Sequence, residues 1–235
     1  MTSIVSAQDL RRVYGEGGAA VTALDGVSVD FPAGAFTAIM GPSGSGKSTL
    51  MHLLAGLDRP TAGTAVLDGV DLTTLSDDAL TQLRRDRVGF IFQAFNLLPV
   101  LDARENIELP MSIAGREPDA AWVDQLIDLV GLRDRITHRP SELSGGQQQR
   151  VAVVRALASR PAVVFADEPT GNLDSTASVE ILQLLRRSVD EFGQTIIMVT
   201  HDEDAAAYAD RLLVLRDGQI VEDRAPTRNA SPASV

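Results

Sequence analysis

The chain has 235 residues, 44% hydrophobic and 23% charged, enough for one large α/β domain or for a core with a small subdomain. A net charge of −11 argues against a Lys/Arg stripe for DNA or RNA, so no nucleic-acid partner is expected, and the absence of cysteine excludes disulfides and thiolate chemistry. No apolar run approaches the roughly 20 residues of a membrane span, and the start of the chain lacks the pattern of a secretory signal.

Ile4 to Tyr14 reads as an edge strand running into the flexible turn Gly15-Glu16-Gly17-Gly18. Tyr14 is placed to stack on an adenine ring, though position alone suits packing equally well. Val21 to Phe31 reads as a second strand, Pro32-Ala33-Gly34 as a turn, and Ala35 to Met40 as a buried strand. That strand delivers GPSGSGKST, Gly41 to Thr49, which fits the P-loop pattern with Gly41 and Gly46 at the required spacing. Leu50, Met51, Leu53 and Leu54 then read as one side of a helix.

The P-loop chemistry follows from its residues. Glycines let the backbone bend around a polyphosphate with no Cβ in the way. Successive N–H groups, those of Gly41, Ser43, Gly44, Ser45, Gly46 and Thr49 among them, face one concavity at a helix N-terminus. Lys47 supplies a point charge for the β- and γ-phosphates. The Ser48 hydroxyl suits Mg²⁺, which keeps most of its other ligands as water and phosphate oxygen.

Gly56 and Pro60 mark the helix exit. Thr64–Leu67 and Val70–Leu72 form a predicted hairpin around Asp68-Gly69, and Ser76 starts a helix reaching Arg85. Val88 to Phe92 is a short strand ending at Gln93. Asn96 to Pro99 is a loop. Asp119 caps a helix with Trp122, Leu126, Leu129 and Val130 on one face, closed by Gly131. Trp122 is expected in the core of this region. The stretch from about 94 to 160 interrupts the strand pattern and reads as an inserted helical subdomain. Within it, Leu143-Ser144-Gly145-Gly146-Gln147 offers Ser144 as an N-cap and a second helix N-terminus fit for an anion.

Strand pattern returns at Ala162 to Ala166 and ends in Asp167-Glu168. At the carboxyl end of a buried parallel strand, Asp167 suits a hold on Mg²⁺ and Glu168 suits accepting a proton from an attacking water. A helix from Ser175 to about Phe192, a strand from Thr195 to Thr200, His201, a short helix from Asp202 and strands at Leu212–Leu215 and Gln219–Val221 complete the order. The expected fold is α/β: a P-loop core with a mostly parallel sheet flanked by helices, an antiparallel β subdomain and the helical insert. Residues 1–225 are expected to form a single domain, with a disordered tail at 226–235. His52 and His138 have no partner at ligand spacing, so no zinc site is expected.

Taken together, these motifs resemble the nucleotide-binding subunits of ABC transporters. LSGGQ matches that family's signature without substitution, GPSGSGKST its Walker A, and VVFADE its Walker B with the catalytic Glu168. Gln93 falls at the Q-loop, Asp174 at the D-loop, His201 at the switch histidine and Tyr14 at the aromatic A-loop position. The resemblance implies ATP and Mg²⁺, with Gln93 sensing the metal held by Ser48 and Asp167. It also implies a head-to-tail homodimer in which Ser144, Gly145, Gly146 and Gln147 of one copy meet the γ-phosphate on the other. His201 would contact that phosphate and orient the water.

MHLLAGLDRPTAG, FIFQAFNLLPVLDARENIELP and DEPTGNLDS look closer to one branch. It includes the macrolide exporter, the lipoprotein-release ATPase and the FtsE-type cell-division subunit. The implied partner is a membrane permease on a separate chain, received near Phe95 to Leu98, with the subunit on the cytoplasmic face of the cell membrane. The alternatives are a non-transport ABC switch acting on DNA or ribosomes, or a small P-loop kinase or GTPase. Neither coiled-coil inserts nor tandem cassettes support the first, and no guanine-reading Asn-Lys-x-Asp supports the last.

Overall fold

The computed structural model describes residues 3–15 and 17–226; Glu16 and the predicted disordered tail, apart from Pro226, lie outside the described residues. Strands β1 (Ser3–Tyr14), β2 (Val21–Pro32), β3 (Phe36–Met40), β4 (Ala62–Leu67) and β5 (Val70–Asp71) precede the helical region. Strand β6 (Val88–Phe92) leads directly into it, and β7 (Val163–Asp167), β8 (Ile196–Val199), β9 (Arg211–Arg216) and β10 (Gln219–Arg224) follow. The helices are α1 (Lys47–Leu54), α2 (Asp77–Arg87), α3 (Ala103–Ile113), α4 (Ala120–Leu129), α5 (Gly145–Ala158), α6 (Ser175–Phe192) and α7 (Glu203–Ala206).

Among the described residues the strands form two sheets. The first is antiparallel, in the order β2-β1-β4-β5. The structure corrects one expectation here: β1 is not an edge strand, because β4 returns after α1 to pair along its free side. Asp68 (φ 48°) and Gly69 (φ 77°) turn the β4–β5 hairpin, as the Asp-Gly pair predicts.

The second sheet runs β10-β9-β3-β8-β7-β6 and is parallel except for β10. Its central strands are apolar at nearly every position because both faces are covered. Side chains alternate between the faces. Phe36, Ala38, Val164, Ala166, Ile196 and Met198 meet Ile107, Val123, Val151 and Leu185 from the helices on one side. Ile39, Val163, Phe165, Ile197 and Val199 meet α1 and the first sheet on the other. This double burial fixes where the strands stop. The P-loop follows β3, Gln93 follows β6, Glu168 follows β7 and His201 comes two residues after β8, all at the carboxyl ends of parallel strands.

The predicted helices are present, with Ser76, Asp119 and Ser144 each accepting a backbone N–H as an N-cap. Trp122 departs from its predicted core position. Val123 and Ile127 take the buried face of α4, while Trp122 is half-buried and bridges elements. Its ring meets Phe192 edge-on at 4.9 Å, and its Nε1–H donates to the Leu157 carbonyl at 3.2 Å.

Candidate functional site

A cavity of about 610 Å³ opens at the carboxyl ends of β3 and β7. Gly41, Ser43, Gly44, Ser45, Gly46, Lys47, Ser48 and Thr49 all line it, together with Asp167, Glu168 and His201. Two glycines are required by geometry. Gly41 (φ 152°) and Gly46 (φ 100°) have backbones that favour glycine. A Cβ on Gly41 would stand 2.1 Å from the Leu215 carbonyl oxygen, and one on Gly46 would stand 2.4 Å from that of Ala23.

The loop is tied down at several points. Lys47 Nζ donates to the Gly41 and Pro42 carbonyls at 2.8 and 2.9 Å, which holds the ammonium along the rim. In the β9–β10 turn, the Gly218 N–H donates to the Ser45 carbonyl at 3.1 Å, and the Gly218 carbonyl accepts from Asp25 at 3.0 Å. The turn thus clamps the P-loop to β2. Ser45 Oγ is buried without a hydrogen-bond partner.

At the facing wall, burial pushes the Asp167 carboxyl above its ordinary pKa. The influence of nearby His52 and Lys47 partly offsets that rise, and the Glu168 carboxylate adds to it. Glu168 adopts φ 47°. Its N–H donates to Val199 at 2.9 Å, and its carbonyl accepts from Gly171 at 3.0 Å. Glu168 Oε1 lies 2.8 Å from His201 Nδ1. The histidine side chain is 74% exposed and the glutamate 21%, so the pair bridges solvent and the cavity wall. The Glu168 carboxylate, through this hydrogen bond, raises the His201 pKa.

The remaining predicted residues lie outside this cavity. Gln93 turns its amide to Asn172 Oδ1 at 3.1 Å, and Asn172 returns a bond to the Gln93 carbonyl at 3.0 Å. Ser144 and Gln147 close a capping box: Ser144 Oγ accepts from the Gln147 N–H, and Gln147 Oε1 accepts from the Ser144 N–H. Gly145 sits against Phe95 and Leu173, and Gly146 against Ala177. Asp174 caps α6 by accepting from Ala177 at 2.9 Å. Tyr14 donates its hydroxyl to Asp58 at 2.9 Å, and the Arg12 guanidinium lies 4.4 Å from its ring centroid. One face of the ring is therefore already covered.

Sequence reasoning missed two residues of α5. Gln149 is fully buried and donates to the carbonyls of Phe92 and Pro169. Arg155 donates to the carbonyls of Phe95 and Asn96, which sit at φ 58° and 50°; burial lowers its pKa. A signal for Gln149 existed: it falls in register with the buried Ala152, Val153 and Ala156, so a polar residue occupies an apolar-periodic position.

A second cleft, about 540 Å³, lies between β1, β2 and Arg211. It has no glycine loop or helix start, and its arginine is engaged by Asp223.

The family model described as "ABC transporter" matches residues 24–171. The macrolide export ATP-binding/permease protein MacB of Marinobacter nauticus is 49% identical over 94% of this chain, but the match covers 34% of that protein. The chain thus spans about a third of the length of the macrolide-export relatives it matches. An uncharacterized ABC transporter ATP-binding protein of Thermotoga maritima is 46% identical over 94% of both chains. Among solved structures, the dimeric, post-hydrolysis ATP-binding cassette MJ0796, bound to ADP and Pi, superposes with a TM-score of 0.85. It is 39% identical, with 95% of this chain and 99% of that one covered. The P-loop cavity, the helix start capped by LSGGQ and these matches agree: the chain belongs to the ABC transporter family, as one of its ATP-binding cassettes.

Proposed function

We propose that the chain binds and hydrolyses ATP as the nucleotide-binding subunit of an ABC transporter, closing as a homodimer around ATP to drive a membrane permease. The observation that carries this reading is the single cavity shared by the P-loop, Asp167, Glu168 and His201. ATP is the substrate. P-loop N–H groups and the N-terminus of α1 receive its phosphates, and Lys47 neutralises the β- and γ-phosphate charge. Glu168 accepts the proton of the attacking water, and His201, held by Glu168, orients that water against the γ-phosphate. Tyr14 presents the ring face not covered by Arg12 to the adenine.

Mg²⁺ fits the residues present. Ser48 and Asp167 line one cavity, and a cation would relieve the burial cost on the Asp167 carboxylate. Among the described residues no group of three or more His, Asp or Glu forms a metal cage. That suits an ion whose other ligands are water and phosphate. Bound there, it would supply charge neutralisation on the β- and γ-oxygens. Gln93 is the residue that senses it, reaching the site by exchanging its Asn172 partner.

Ser144, Gly145, Gly146 and Gln147 serve the partner copy's nucleotide, with Asp174 beside them at the interface. Two features support this. They are not among the residues lining the P-loop cavity of their own chain, and a cassette of 39% identity was solved as a dimer. The permease is assigned to a separate chain, of the export or lipoprotein-release kind. Proteins from Thermotoga maritima and Methanocaldococcus jannaschii that match over 94% and 98% of their own lengths support the separate chain. Among the described residues no helix is long and apolar enough to cross a membrane. The subunit would then work on the cytoplasmic face of the membrane. The MacB relatives favour transport over a switch acting on DNA or ribosomes.

Equilibrium titration with a fluorescent ATP analogue tests the core of this reading. The native chain should bind with a phosphate-dependent affinity that Lys47→Ala abolishes. Equal affinity in the two proteins would remove the P-loop from nucleotide binding.

A further inference from the structure

Helix α5 starts at the Ser144 cap and runs back between the loops that follow β6 and β7. Gln149, the fifth residue of the helix, lies just past its first turn and is wholly buried. Its Nε2 donates to the Phe92 carbonyl at 3.3 Å and to the Pro169 carbonyl at 2.5 Å. These carbonyls adjoin two residues of the proposed reaction: Phe92 precedes Gln93, and Pro169 follows Glu168. The amide cannot be reversed, because its oxygen would then face two carbonyl oxygens. Its own Oε1 remains buried without a partner.

A buried amide with an unmet oxygen costs stability. A leucine or methionine would fill the same space without that unmet oxygen, but would take the donor away from the Phe92 and Pro169 carbonyls. The donor is therefore placed for something other than packing. What it holds is a strained segment: Glu168 at φ 47° is secured by Val199 and Gly171 on its own backbone, and by Gln149 one residue on. The Gln93–Asn172 pair closes the same ring of bonds from the other side.

We infer that Gln149 is a positioning residue for ATP hydrolysis, holding the Phe92 and Pro169 carbonyls so that Glu168 keeps its reactive placement. The inference rests on the proposed role of Glu168 as the base. It also gives a route between the two nucleotides of the dimer. The helix whose N-terminus meets the partner's phosphate is bonded to the strand end that carries the chain's own Glu168. A shift of α5 on closure would reach the Pro169 carbonyl, next to Glu168, through Gln149.

The test is a pair of substitutions in two backgrounds. Gln149→Met keeps volume and removes the donor. It should lower kcat by about 10–100-fold, the scale of a small misplacement of a reacting group, and leave ATP affinity unchanged. In a Glu168→Gln background the same change should leave the residual turnover unaltered, because the carboxylate it positions is gone. Equal losses in both backgrounds, or a parallel loss of ATP affinity, would overturn the inference. Gln149→Glu keeps the shape and makes the donor titratable. Protonated, it donates to a carbonyl; ionised, it repels both. Its kcat relative to the native chain should fall as pH rises, and a flat profile at the native rate would also overturn the inference. This second variant keeps the question open to measurement if Gln149→Met does not fold. If Glu168→Gln itself turns over normally, the base assignment fails. If it is slow while Gln149→Met is native, this inference alone fails.

Discussion

Glu168 joins two constraints that a sequence does not display together: a left-handed backbone and a hydrogen bond to His201. Non-glycine residues hold such a backbone only where neighbours enforce it, and Val199 and Gly171 do so here. Glu168→Gln should slow ATP turnover by about 10²–10⁴-fold, the range of a general base, while nucleotide still binds; phosphate release alongside binding titration checks both halves. The histidine offers an independent readout. Its folded-state pKa is raised by the Glu168 carboxylate, so the pair's stabilisation is fully present below the ordinary histidine pKa. It is lost as pH climbs through the raised value. An NMR titration of the His201 ring should therefore give a midpoint above the ordinary value, and Glu168→Gln should move it down. At this scale the P-loop and the Asp167-Glu168 strand end were legible from residue type and spacing, whereas His201 and Gln93 were singled out only by the family resemblance. Arg155 was not legible, and Gln149 showed only its buried register, because both bond to backbone carbonyls, which are the same in every sequence.

Among the elements, α5 carries the most information per residue. Its capping box, from Ser144 to Gln147, satisfies backbone donors at both ends of the motif. Ser144→Ala should cost about 1 kcal/mol of stability, as lost N-caps do, and thermal or denaturant unfolding measures it. If the cap also serves a partner's phosphate, ATP-dependent association should fall far more than that stability loss explains. Helix and strand positions were largely readable, since apolar period and turn residues set them locally. Neighbour relations were not. Alternation fixes which face of β1 is buried, but nothing in its residues reveals that β4 will return to its second edge. Trp122 misled for a related reason. Its place on the apolar helix face suggested a core position, yet its ring and N–H find their partners on α5 and α6 rather than within α4's own layer.

Across the whole molecule, the P-loop cavity and the LSGGQ helix start belong to one chain without sharing one site. In the proposed homodimer a second copy would resolve that separation, each half-site leaving phosphate charge for the other to cover. Light scattering on the Glu168→Gln chain should show a monomer without nucleotide and a doubled mass with ATP. A monomer at high protein and ATP would count against the sandwich. Fold class could be read from strand–helix order, but the proposed pairing of half-sites came only from family resemblance, because no residue pattern within one chain encodes what faces it across an interface.

The clamp from Gly218 onto Ser45 joins a late part of the polypeptide to an early one. During synthesis the phosphate loop leaves the ribosome long before the β9–β10 turn does, and it has no native anchor on that side until the turn arrives. Nascent chains halted before residue 217 should therefore fail to retain immobilised nucleotide, and those halted after the hairpin has fully emerged should retain it. Competence would then be acquired only once the β9–β10 turn has emerged, which delays ATP capture until the segments that must respond to it are already in place.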